Sequence, residues 1–84
     1  MMLTRSPKEL ALQVMGQRKK LKLSQADVGE LVGLKQQTIS EFENKPESTK
    51  LNTLFLILSA VQLDVNLLGK NEDVLTKRPW KEEW

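Results

Sequence analysis

The chain has 84 residues and a formal net charge of +2, with 39% of its residues hydrophobic and neither cysteine nor histidine. A chain of that length builds one small domain, marginal alone and helped by dimerisation. Lacking cysteine and histidine, it has no disulfide framework, none of the usual zinc ligands or nucleophile–base pairs, and no side chain that carries protons near neutral pH, so neither catalysis, a metal nor a cofactor is expected.

Ser6-Pro7-Lys8-Glu9 reads as a helix start, with Ser6 as N-cap, Pro7 at the first helical position and Glu9 placed to close a capping box. The helix is predicted to run to about Lys20. Leu10, Ala11, Val14, Met15 and Leu21 recur at helical spacing as its buried stripe, which leaves Gln13, Gln17 and Lys20 toward water. Arg18, Lys19 and Lys20 end it, where the helix dipole favours a cation by about 0.3–1 kcal/mol, so their default role is structural and phosphate contact comes second.

Ser24 caps a second helix, and Asp27 is placed to return the interaction to the cap backbone N–H. Gln25 lies in its first turn. Amides at a helix N-terminus attract phosphate, which makes Gln25 a candidate phosphate anchor rather than only a solvated glutamine.

The segment QADVGELVGLKQQTISEFEN, from Gln25 to Asn44, reads as a helix-turn-helix. Val28, Val32, Leu34, Ile39 and Phe42 supply the apolar contacts between two crossed helices, Gly29 sits where backbones approach most closely, and Gly33 takes the left-handed turn without a side-chain clash. Lys35, Gln36, Gln37, Thr38, Ser40 and Glu41 are then left on the outward side. Glutamine pairs in bidentate fashion with adenine N6 and N7, and lysine donates to guanine O6 and N7. Lys35, Gln36, Gln37 and Ser40 are therefore expected to contact bases, and Thr38 to join the phosphate contacts. The plain alternative is a helical hairpin with a solvated outer face.

Asn44-Lys45-Pro46-Glu47-Ser48 is a loop, because Pro46 forbids continuation of the third helix. Ser48 or Thr49 is expected to cap a fourth helix. Lys50 falls near its N-terminus, where the dipole disfavours a cation, so an external anion explains it better; Asn44, Lys45 and Lys50 form the expected phosphate-holding set.

Leu51, Leu54, Phe55, Leu58 and Val61 are expected on one face of the fourth helix, with Leu56 and Ile57 on the other. A helix apolar nearly all round is buried on more than one side, and so short a chain offers no second partner except another subunit. Leu63, Val65 and Leu67 then alternate with Asp64 and Asn66 in the period of a half-buried strand. Residues 63–67 are predicted to pair with the same strand across a two-fold axis, since a lone strand cannot satisfy its own backbone. The expected dimer interface is Leu56, Ile57, Leu63, Val65 and Leu67.

Residues 1–68 make the domain and 69–84 a polar tail, expected to be disordered, with four basic and four acidic residues. Trp80 and Trp84 both lie in it and are candidates for anchoring in a partner's pocket. Residues 1–40 carry seven Lys/Arg against three Asp/Glu, and 41–84 six against eight, so the basic half holds most of the DNA-reading unit. The longest apolar run, Leu54 to Leu58, is too short for a bilayer, and the N-terminus lacks a signal-peptide core, which points to the cytoplasm and no membrane.

From Arg18 to about Val61, with SQADVGELVGLKQQTISEFEN as its centre, the chain resembles the Xre/Cro family of phage-repressor-like DNA-binding domains. The run GLKQQTISEFENKPESTKLNTLFLILSAVQLDV, followed by a polar tail ending in Glu-Trp, is similar more narrowly to the HipB-type antitoxins, partners of HipA-type serine/threonine kinases. The resemblance implies a structural ion pair between Arg18 and Glu43, a two-stranded sheet shared across the dimer, and a toxin that the chain restrains while repressing their shared operon. The expected fold is mainly α, a phage-repressor-like domain of four helices with one C-terminal strand. The expected function is a homodimer on a palindromic double-stranded operator. A stand-alone phage- or plasmid-type repressor and a protein-interaction module without DNA binding are the rivals.

Overall fold

The computed structural model describes residues 3–70. Four α-helices follow in order, α1 (Pro7–Lys20), α2 (Gln25–Val32), α3 (Gln36–Asn44) and α4 (Leu51–Ala60), with a single 3-10 turn, Pro46–Ser48, between the last two.

Helix α1 begins as its sequence dictates, with extended Ser6 accepting the Glu9 amide on its Oγ at 3.1 Å. The capping box closes one residue earlier than expected, however, because the Glu9 carboxylate accepts from the Arg5 amide at 2.7 Å and not from that of Ser6. Helix α2 carries the reciprocal box in full: Ser24 Oγ accepts from the Asp27 amide and Asp27 Oδ2 from the Ser24 amide, both at 2.9 Å. Those bonds favour the charged carboxylate and hold the Asp27 pKa below its ordinary 3.8, the backbone N–H of Ser24 having the larger effect.

Gly33 ends α2 at φ +74, the left-handed conformation that glycine adopts freely. Gly29 is required for a different reason: a Cβ there would lie 2.3 Å from the Leu34 carbonyl oxygen. The close neighbour is thus the backbone of the turn itself. Two non-glycine residues, Lys22 and Gln62, take the same left-handed conformation just past α1 and α4. Each lets the next amide reach back five residues, Leu23 N–H to the Arg18 carbonyl and Leu63 N–H to that of Leu58.

All four helices feed one core, in which Val14, Val28, Ile39, Phe42, Ile57 and Val61 are almost completely enclosed. Each such side chain contributes about 1.5–3 kcal/mol relative to exposure. Gln17, expected toward water, is half-buried and donates its Nε2 to the Val61 carbonyl at 3.1 Å, satisfying an acceptor that the end of α4 leaves without a partner.

Helix α4 faces the core differently from the expectation. Ile57, assigned to the dimer interface, is 0% exposed and has no surface to offer a second subunit, while Leu51 and Phe55, assigned to the core face, are 69% and 50% exposed. The apolar positions fit two stripes at helical spacing, and the packing of α4 on α2 selects the one through Leu54, Ile57, Leu58 and Val61. Helix α4 also starts without a side-chain cap: Lys50 occupies the N-cap position, and Ser48 donates its Oγ to the Lys45 carbonyl instead.

No strand forms among the described residues, and 63–69 carry no regular secondary structure. A strand that pairs across a two-fold axis has no neighbour within one chain. Val65, Leu67 and Leu68 are exposed along this segment. Trp80, Trp84 and most of the expected tail lie outside the described residues. No described helix is long and apolar enough to cross a membrane.

Candidate nucleic-acid interface

Ile39 and Phe42 pin α3 into the core, which forces Gln36, Gln37, Glu41 and Asn44 onto its exposed side and leaves Ser40 half-buried at the edge. The helix is held from behind by Arg18. Its Nε donates to Glu43 Oε2 at 2.7 Å, its Nη2 to Glu43 Oε1 at 3.1 Å, and its Nη1 to the Leu23 carbonyl at 2.9 Å. The two side chains are only 11% and 3% exposed, so the ion pair that family likeness implied is present and largely desolvated.

From that pair a line of hydrogen bonds runs to the surface. Glu43 Oε1 also accepts from Gln25 Nε2 at 2.9 Å, and Gln25 Oε1 accepts from Gln36 Nε2 at 2.9 Å. The direction of every bond is fixed at the root. Arginine only donates and an ionised carboxylate only accepts, so Gln25 must present its NH2 to Glu43 and its carbonyl to Gln36, which must donate in turn. Gln36 is left with one N–H and its carbonyl oxygen facing out, a donor–acceptor couple that matches adenine N7 and N6.

This brace was not visible from the sequence, which gave Gln25 a phosphate role and said nothing of its reach to Gln36. The signal that could have found it is the joint spacing of Arg18, Gln25, Gln36 and Glu43, legible only once α2 and α3 are crossed. Gln25 sits half-buried at the edge of the surface, with one N–H of its amide left over for an external acceptor.

The remaining predicted residues divide. Lys35, Lys45 and Lys50 are exposed, and among the described residues the one ion pair is Arg18–Glu43, so none of the three lysines is neutralised there. Lys35 stands at the N-cap of α3 and Lys45 at its C-cap, which frames the exposed helix face with a cation at either end. Asn44, expected on phosphate, turns back along the helix: its Nδ2 donates to the Ser40 carbonyl at 2.9 Å and to Ser40 Oγ at 3.3 Å. Ser40 keeps its hydroxyl proton for an outside acceptor. Thr38 is half-buried on the flank of α3.

The fold that carries this surface is shared with known proteins. The helix-turn-helix family model matches residues 14–68. Antitoxin HipB of Escherichia coli (strain K12) is 35% identical over 80 residues, covering 94% of this chain and 91% of that protein. Antitoxin HipB of Escherichia coli O6:H1 is 39% identical over 62 residues, 74% of this chain and 66% of that one. Two solved structures, a HipB-O4 20mer complex and a HipA-HipB-O2-O3 complex, each match with a TM-score of 0.81 at 34% identity, covering 84% of this chain and 100% of theirs.

Proposed function

Since the chain belongs to the HipB antitoxins of the helix-turn-helix family, we propose that it is a homodimeric DNA-binding antitoxin, one that occupies a palindromic operator, represses its own operon and binds a HipA-type kinase toxin. The observation that carries the DNA half is the line from Arg18 through Glu43 and Gln25 to Gln36, which fixes a glutamine amide on the outward face of α3 before any ligand arrives. A prearranged donor–acceptor couple loses little ordering entropy when it meets a base edge.

Gln36 and Gln37 read bases at the start of α3, with Lys35 and Ser40 beside them, and Gln25, Thr38, Asn44, Lys45 and Lys50 lie toward the strand backbone. Lysines that no local carboxylate neutralises suit that purpose, because each phosphate they meet releases counterions.

The dimer assignment loses Ile57, keeps half-buried Leu56 and extends to the exposed side of α4. Leu51 and Phe55 continue into Leu63, Val65 and Leu67, and Phe55, Leu63 and Val65 line one groove. A second copy supplies both an apolar cover for that groove and the strand that residues 63–67 lack. The toxin contact is assigned to residues 69–84, with Trp80 and Trp84 as anchors, and to surfaces that the two-fold axis presents twice. The kinase relationship rests on the HipB relatives and on the HipA-containing complex that this chain matches. The protein works in the cytoplasm as a non-enzymatic partner.

Co-expression with the kinase of its own operon tests the whole reading. A stable complex that retains operator binding supports it. An operator-binding dimer that captures no kinase would leave a stand-alone repressor.

A further inference from the structure

Of the side chains on the outward face of α3, Glu41 is the one whose charge opposes the proposed ligand. It is exposed, one turn beyond Gln37, and its Oε2 accepts from Gln37 Nε2 at 3.4 Å. A carboxylate facing a polyanion weakens binding to every DNA sequence, so one that stands a turn beyond Gln37 on the same exposed side calls for a compensating contact. The Lys45 amide that follows bonds the Glu41 main-chain carbonyl and leaves the carboxylate untouched, and among the described residues no ion pair neutralises it.

We propose that Glu41 is a specificity-determining residue that accepts a hydrogen bond from the N4 amino group of a cytosine in the major groove, and that it orients the Gln37 amide beside it. This rests on α3 being the reading helix. The chemistry selects cytosine among the four bases. Guanine presents the acceptors N7 and O6 to the groove and thymine O4, all of which repel a carboxylate. Adenine offers its N6 amino group but sets N7 next to it. Cytosine alone presents an amino donor with no acceptor of its own in the groove. The same carboxylate fixes Gln37: as an acceptor-only group it takes the NH2 end, which turns the Gln37 carbonyl oxygen and second N–H toward the neighbouring base pair.

Two devices thus set the two glutamines. Gln36 is oriented from within the fold by Arg18 and Glu43, and Gln37 from the surface by Glu41. The first is rooted in a largely buried ion pair and the second is exposed at both ends, so Glu41 acts on which sequence is bound more than on whether the domain folds.

The test is selection from a library of duplexes randomised across the whole site, using the full-length protein and its E41A, E41Q and Q37A variants, with sequencing of the bound pool. The wild type should prefer cytosine by about tenfold at one position of each half-site. E41A should lose that preference, weaken the one at the adjacent position that Gln37 faces, keep the rest, and bind unselected DNA more tightly because a charge facing the phosphates is gone. E41Q, which can donate as well as accept, should admit guanine or thymine there. Q37A should relax the adjacent position and leave the cytosine in place. Should E41A and E41Q change overall affinity while leaving base preference the same at every position, Glu41 is a solvated acid and the proposal fails, with the reading by α3 intact. A wild type that enriches no sequence overturns both.

Discussion

Gln36 and Gln25, eleven residues apart on different helices, share a hydrogen bond of 2.9 Å whose direction is set by the Glu43 carboxylate, which Gln25 touches and Gln36 does not. The donor end of Gln36 is committed inward because Gln25 has already committed its own donor to Glu43. The orientation of the Gln36 amide, and with it the base reading proposed for that residue, is therefore tied to the internal ion pair.

That link predicts graded effects along the line. Gln36→Ala should cost about 1–3 kcal/mol at the cognate operator and relax preference at particular base pairs. Gln25→Ala should leave folding near wild type but lower the discrimination that Gln36 provides. Gln25→Glu should be worse than either, since two carboxylates would then face each other beside Arg18. Binding isotherms on matched and mismatched duplexes order the three. An unaltered mismatch penalty in Gln25→Ala would show that Gln36 needs no brace.

Glu43→Ala leaves the Arg18 guanidinium largely buried without its carboxylate, and loss of one member of a buried pair costs about 3–5 kcal/mol. Denaturant midpoints measure this directly. A midpoint equal to wild type would mean that solvent replaces Glu43 at no cost.

Gly29→Ala should be among the most disruptive small substitutions in the chain. Its Cβ would meet a backbone carbonyl at 2.3 Å, which cannot swing aside as a side chain would, so the turn must move at a cost of about 3 kcal/mol. Gly33→Ala meets no atom and suffers only the left-handed φ of +74, costing about 1 kcal/mol. Thermal unfolding of the pair should separate them in that order.

Acid should weaken the cap of α2. The Asp27 pKa is lowered on folding, so its stabilising effect is fully present above the ordinary value of 3.8 and is lost as pH falls through the lower folded value. The gap in midpoint between wild type and Asp27→Ala should therefore be constant near neutral pH and close only in strong acid. A gap that closes above pH 5 contradicts the assignment.

Val65→Pro removes a ladder donor from the proposed shared strand and should give monomers in sedimentation, with operator affinity falling as the half-sites uncouple. Phe55→Asp should do the same through the groove. A Val65→Pro protein that stays dimeric while Phe55→Asp dissociates would place the interface on α4 alone.

The helix-turn-helix was legible because its demands are local and steric. A glycine must stand at Gly29 and another at Gly33, and the polar run from Lys35 to Glu41 is left over once Ile39 and Phe42 are buried. Ser6, Ser24 and Pro46 likewise mark boundaries that the fold keeps, for capping and proline chemistry act within a few residues. The core face of helix α4 is not legible because the helix is apolar nearly all round, and two stripes satisfy its periodicity equally; only contact with α2 chooses Ile57 over Phe55 for the core. The internal partners of Gln17 and Gln25 are not legible for a related reason. A glutamine's partner is decided by what a distant segment brings to it, here the end of α4 and the end of α3, and no local rule gives that.

The account is tested most directly by titrating the full-length protein onto the DNA upstream of its own reading frame and onto a shuffled duplex of the same composition, at several salt concentrations, with Gln36→Ala alongside. The prediction is dimer binding that is at least about a thousandfold tighter on the native sequence, weakens steeply with salt on both duplexes, and loses much of its preference in Gln36→Ala. Equal affinity for the native and shuffled duplexes, unchanged by Gln36→Ala, would contradict it.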